Sequence, residues 1–295
     1  MNNRNKKASY DSEEDGAQIM SSQGSQPQAG ASAGFNGDQQ APAVSTGAGD
    51  GDTKLNGHHD PKQRSIYLAL LSFSVFNALL GLAMLVVWIF KYRPTTGISL
   101  TTSAGLSNLH PLLMYLFMVS LNMYSILIYR THYAQRKQLL KWAHAIVSGA
   151  NIVMSLLGVA AMYKSHLMSN YANFYSLHSW IGVLTNAFYL SQFLVGLIAF
   201  LRPGLSQQRR AALMPWHRLA GAMLLVLAAT SAITGIVELV IFQDKNGAYS
   251  GFTAITFIAN FAGVSIVLLT ATSIYLVTAP QYLRPNLPEE QPLKR

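Results

Sequence analysis

From Ile66 onward the chain alternates between long apolar stretches and short polar ones. The apolar stretches are continuous. Strict alternation would predict half-buried strands, and a stripe at i, i+3, i+4, i+7 would predict amphipathic helices. Runs of about 20 apolar residues instead predict helices that cross a hydrocarbon core. Six such runs are present: Ile66–Phe90, Leu109–Tyr129, Trp142–Tyr163, Leu177–Leu201, Pro215–Phe242 and Ala254–Thr278. Short loops between them place successive helices side by side and antiparallel. The expected fold is an all-α membrane protein of six transmembrane helices. Residues 1–64 are rich in Gly, Ser, Gln, Ala and Asp, and have too few apolar residues to fold alone; they are expected to form a disordered tail. This divides the chain into a tail (1–64), a membrane domain (65–280) and a C-terminal tail (281–295). The tail has no apolar run resembling a signal peptide, so helix 1 is expected to act as the insertion signal.

Charge sets the orientation. Only 11% of residues are charged, against about 25% in soluble domains, yet the net charge is +9. Arg130, Arg136, Lys137 and Lys141 follow helix 2, and Arg202, Arg209 and Arg210 follow helix 4. Lys62 and Arg64 precede helix 1, and Arg284 follows helix 6. The opposite side has Lys91, Arg93, Lys164 and Lys245. Basic residues in short loops on one side follow the positive-inside rule, which predicts cytosolic termini and argues against a nucleic-acid groove. Tyr92, Tyr129, Trp142, Tyr163, Tyr175, Trp180 and Trp216 mark span ends, as interfacial aromatic belts do.

The chain has no cysteine, which excludes disulfides, iron–sulfur clusters, thiolate metal sites and covalent haem attachment. Any cofactor must be held by nitrogen or oxygen ligands, or by shape. Of eight histidines, His58 and His59 lie in the tail and His132 in a loop. Four others open four consecutive helices: His110 in helix 2, His144 in helix 3, His178 in helix 4 and His217 in helix 5. A single histidine at a helix end needs only an interfacial explanation. One in each of four successive spans is costly and points to function. Because the helices alternate in direction, His110 and His178 share one membrane depth, and His144 and His217 share the other.

Zinc or copper would want further ligands beside each pair. The only carboxylate deep in a span is Glu238, near the far end of helix 5. Haem iron needs two axial ligands, so one b-type haem suits each pair, and filled axial positions favour electron transfer over oxygen activation. A histidine-based proton relay, transporter or scaffold without haem is the competing reading, and it gives no reason for two depth-matched pairs.

These residues carry a family resemblance. Asn108 through Met114 reads Asn-Leu-His-Pro-Leu-Leu-Met, and helix 2 ends Ile-Leu-Ile-Tyr-Arg. Lys141 through His144, Asn173 through Trp180 (Asn-Phe-Tyr-Ser-Leu-His-Ser-Trp) and Leu213 through His217 (Leu-Met-Pro-Trp-His) follow in order. Over Ile66 to about Pro280 the chain resembles the cytochrome b561 family of ascorbate-dependent transmembrane oxidoreductases. The resemblance implies a four-helix core of helices 2–5 holding two non-covalent haem b groups, with His110 paired with His178 and His144 with His217. It implies ascorbate as cytosolic donor, with Arg130, Lys137, Lys141 and Arg210 at its site, as anion attraction would also favour. It implies monodehydroascorbate or a ferric chelate as acceptor on the other side, where His166, Asn173 and Tyr175 match the substrate site. A homodimer is implied as well, in an endomembrane (vesicle, lysosome or vacuole) or the plasma membrane. The chain departs from relatives at Ser148, where many carry a second histidine one turn after His144. It also departs in helix 2 (Met-Val-Ser-Leu-Asn-Met-Tyr-Ser) and after Glu238, where a lysine often follows.

Overall fold

The structure, a computed structural model, describes residues 60–285 apart from Pro94, Thr96, Pro203, Lys245, Asn246, Ala248 and Ser250. The tail expected over 1–64 lies outside the described residues up to position 59, as does the C-terminal tail from 286. Six helices are long and apolar enough to cross a membrane: helix 1 (Pro61–Tyr92), helix 2 (Ser103–Thr131), helix 3 (Lys137–Ser169), helix 4 (Leu177–Leu201), helix 5 (Gln207–Gln243) and helix 6 (Ala254–Thr278). No strand forms among the described residues. The protein is a multi-pass membrane protein.

Helices 4 and 6 coincide with their apolar runs, and the other four extend beyond theirs. Hydropathy marks where the hydrocarbon ends, while caps mark where the helix ends. Asp60 accepts from the Lys62 amide at 3.0 Å with Pro61 in the first turn. Helix 1 therefore starts at residue 61 and takes up residues that polarity alone assigns to the tail. Ser206 likewise caps helix 5 eight residues or more before its apolar stretch, and Ser176 and Ser179 form a reciprocal capping box at helix 4. Helix 3 ends on Asn170 in the left-handed conformation, φ 56°.

Helices 1 and 6 pack along their length around Trp88, Ile266, Leu269 and Leu276. Past helix 6 a 3₁₀ turn, Pro280–Tyr282, folds back so that Tyr282 meets Tyr67 edge-on, with centroids 5.1 Å apart. The start of helix 1 and the end of helix 6 thus share one face of the bundle, the terminal face; the opposite one is the far face. A second, smaller cluster joins Met118, Ile152, Tyr189, Leu224 and Ala228. These residues come from helices 2, 3, 4, 5 and 5, so the four helices that carry the histidines meet in one apolar layer. Outward-facing apolar side chains such as Leu79 (62% exposed), Ile146 (66%) and Ile198 (63%) are what a lipid-facing surface requires.

Two helices carry internal prolines beside the histidines: Pro111 follows His110, and Pro215 precedes His217 by two residues. Each proline removes one backbone donor. Downstream of Pro111, helix 2 widens into π-helical turns over Met114–Leu121, a local form that often accompanies functional sites.

Candidate functional site

The two histidine pairs expected from depth are brought together. His110 and His178 face each other near the far face, with ring centroids 6.0 Å apart and ring planes at 89°. His144 and His217 do so near the terminal face, at 6.2 Å and 77°. The apolar layer of Met118, Ile152, Tyr189 and Leu224 lies between the two levels.

The backbone fixes how three of these rings present themselves. Nδ1 of His110 lies 2.9 Å from the Gly158 carbonyl, that of His178 lies 2.8 Å from the Ser231 carbonyl, and that of His144 lies 2.9 Å from the Ser125 carbonyl. A carbonyl oxygen can only accept, so Nδ1 carries the proton in all three and Nε2 keeps its lone pair. This is how metal-ligating histidines are oriented. Nδ1 of His217 is buried without a partner, and its ring packs on Phe200 at 5.0 Å.

Small residues make room for the rings. A Cβ on Gly235 would stand 2.7 Å from Cε1 of His178, and one on Gly196 would stand 3.3 Å from Cε1 of His217. A largely apolar groove of about 410 Å³ runs between helices 4 and 5, lined by Phe188, Gln192, Val195, Ala220, Met223 and Leu224 among others.

The donor set fits a haem at each pair. Among the described residues no group of three or more His, Asp or Glu side chains converges. Each pair therefore stands as a two-ligand set, suited to a group that brings its other metal ligands with it.

At the terminal face, Lys141 interacts with Lys137 and Arg210, so these three expected site residues cluster. Lys141 Nζ donates to the Phe200 carbonyl at 3.0 Å, and Nε of Arg210 is buried without a partner. Arg130 is placed differently. It is 4% exposed, and its guanidinium donates to the carbonyls of Val277 and of Ala279 (2.6 Å), clasping the end of helix 6.

At the far face, Nδ1 of His166 pairs with Oδ1 of Asn173 at 3.1 Å. The Tyr175 hydroxyl donates to Glu238 at 3.1 Å. Loss of water around it and the adjacent carboxylate push the Tyr175 phenol up to about 12, so it stays a neutral donor. Over this face, Asn108 donates to the carbonyls of Thr95 (2.9 Å) and Gly97 (2.7 Å) and ties down the loop before helix 2.

Sequence reasoning missed a buried polar network. Ser125, Ser148, Asn151 and Tyr189 are all at most 6% exposed and lie beside His144. Its signal was present in helix 3, where Ser148, Asn151, Ser155 and Gly158 fall on one face at helical spacing.

Comparison with known proteins agrees with this arrangement. A family model described as eukaryotic cytochrome b561 matches residues 109–243, which contain all four paired histidines. The transmembrane ascorbate-dependent reductase CYB561 of Sus scrofa is 35% identical over 228 residues, 76% of this chain and 89% of that protein. The Bos taurus protein of the same name is 34% identical over the same shares. The ascorbate-specific transmembrane electron transporter 1 of Zea mays is 31% identical over 203 residues, 69% of this chain and 86% of that protein. At this identity and coverage, the chain belongs to the cytochrome b561 family.

Proposed function

We propose that this chain binds two b-type haems, one at each histidine pair, and carries electrons across the membrane from ascorbate to an acceptor on the other side. The observation that carries the proposal is the presence of two facing imidazole pairs, 6.0 and 6.2 Å apart, at opposite ends of one four-helix core. A haem at each pair would supply a one-electron centre, and with two protein imidazoles as ligands it would favour electron transfer over oxygen chemistry.

The protein's own residues do the remaining work. His110 with His178 and His144 with His217 would hold the two groups, and the carbonyls of Gly158, Ser231 and Ser125 keep three of the imidazoles in the ligating tautomer. The positive-inside rule makes the terminal face cytosolic, with both tails (1–64 and 281–295) on that side of the membrane domain 65–280. Ascorbate is an anion, and Lys137, Lys141 and Arg210 attract it there. Arg130 holds the end of helix 6 at the same face through the carbonyls of Val277 and Ala279. On the far side His166, Asn173 and Tyr175 form the acceptor site, for monodehydroascorbate or a ferric chelate. The protein works as a homodimer in an endomembrane or the plasma membrane.

The test is a visible spectrum of the purified full chain in detergent, oxidised and then reduced stepwise with ascorbate, with haem counted per chain. Two haems per chain and sharp reduced bands on adding ascorbate are expected. A folded protein without haem would overturn the reading in favour of a transporter or scaffold. Haem that ascorbate leaves oxidised would overturn the choice of donor.

A further inference from the structure

The buried network beside His144 links helices 2, 3 and 4. The Ser125 carbonyl accepts at 2.9 Å and so holds the proton on Nδ1 of His144. The Ser125 hydroxyl oxygen, 3.1 Å from the same nitrogen, can therefore only accept from it. That oxygen has a second neighbour, the Ser148 hydroxyl at 2.8 Å. The Tyr189 hydroxyl lies beside both serines and receives a hydrogen bond from the Asn151 amide at 3.1 Å. An amide nitrogen only donates, so the Tyr189 oxygen accepts from Asn151. The Ser125 hydroxyl oxygen accepts from the imidazole and shares a hydrogen bond with Ser148 in which either hydroxyl can donate. Hydrogen bonds linked through one oxygen strengthen or weaken one another.

We propose that Tyr189 and Ser148, acting through Ser125, are positioning residues that set the strength of the hydrogen bond made by the His144 imidazole and thereby tune the redox potential of the haem at the terminal face. The proposal rests on the two-haem reading above. Its physical basis is that a ligating imidazole becomes a stronger donor to its metal as its other nitrogen is more firmly hydrogen-bonded. A stronger donor favours the oxidised iron. At the far pair the Nδ1 protons of His110 and His178 go to backbone carbonyls, and the Ser231 hydroxyl lies 3.5 Å from His178. The effect is therefore local to one haem. Tyr189 suits the role by position, since it packs in the layer between the two pairs and reaches towards the terminal one.

The experiment is anaerobic potentiometry of the full chain with its haems, comparing wild type with Tyr189→Phe and Ser148→Ala. The haem at the terminal face is identified as the one that His144→Ala removes. Both variants are expected to retain two haems per chain, to shift the potential of that haem and to leave the other in place; Ser148→Thr, which keeps the hydroxyl, restores the wild-type value. An unchanged potential, or equal shifts at both haems, would overturn the proposal. So would loss of haem from both variants, because the network would then be holding the fold. A wild-type chain without haem would overturn the two-haem reading itself, a result distinct from all of these.

Discussion

The ring of His178 lies so close to Gly235 that a methyl group there would stand 2.7 Å from its Cε1 and 2.9 Å from its Nδ1. Helix 5 meets helix 4 at this point, and the Ser231 carbonyl, one turn earlier, takes the His178 proton. Gly235→Ala should therefore displace the imidazole while leaving helix 5 intact, since alanine is the better helix former. The overpacking cost is about 1–3 kcal/mol. The expected outcome is one haem per chain, with the far-face haem lost and the His144–His217 haem retained. Haem counting with the spectrum of the remaining centre checks it, and two haems at normal occupancy would show that the ring moves aside freely.

Gly235 also shows where the sequence stops being legible. Six helices, the order of their directions and the four ligand candidates could be read from the chain, because transmembrane runs and intramembrane histidines are both expensive and leave few alternatives. The role of a glycine opposite His178 could not, since it depends on the approach of two helices more than fifty residues apart in sequence. Helix ends were similarly hidden where a cap such as Asp60 or Ser206 carries the helix past the apolar run. The polar stripe in helix 3 was visible as a pattern, but its partners Ser125 and Tyr189 on other helices appear only when the bundle closes.

Arg130 illustrates a different limit. A basic residue at the end of a membrane helix reads equally as a topology signal or a substrate contact, and the structure places its guanidinium on the carbonyls of Val277 and Ala279. Arg130→Ala leaves two helix-end carbonyls without that donor, at a cost of about 2–4 kcal/mol. Arg130→Lys should restore only part of this, because one ammonium lacks the planar fork that meets both oxygens. Thermal unfolding in detergent should fall in the order wild type, Arg130→Lys, Arg130→Ala. A large rise in the ascorbate KM of Arg130→Ala at unchanged stability would instead put the side chain in the substrate site.

At the far face, the Tyr175 phenol is raised to about 12 by loss of water and by Glu238. The sign is that of a group whose neutral form is favoured in the folded protein. The phenol stays protonated below its ordinary value near 10, and its bond to Glu238 is lost only as pH rises through about 12. Glu238→Gln removes the neighbouring charge and should bring the phenol back down. Tyrosinate absorbance, taken as the difference from Tyr175→Phe, should show the titration moving to lower pH in the Glu238 variant. No movement would mean that Glu238 has little hold on the phenol.

Lys141 lies with Lys137 and Arg210 at the terminal face, and three cations gathered at one end of the bundle attract an anion over a distance set by salt. The Debye length is about 10 Å at 0.1 M and about 3 Å at 1 M ionic strength. Reduction of the haem by ascorbate should slow as salt rises over that range, while reduction by a neutral small-molecule donor should not. The double variant Lys141→Ala, Arg210→Ala should raise the ascorbate KM about tenfold or more, equivalent to about 1.4 kcal/mol, and flatten the salt dependence, with both haems still bound. Stopped-flow absorbance at several salt concentrations separates the two contributions. An equal salt response in wild type and double variant would mean that these side chains serve membrane orientation only, and that ascorbate is received elsewhere on the face.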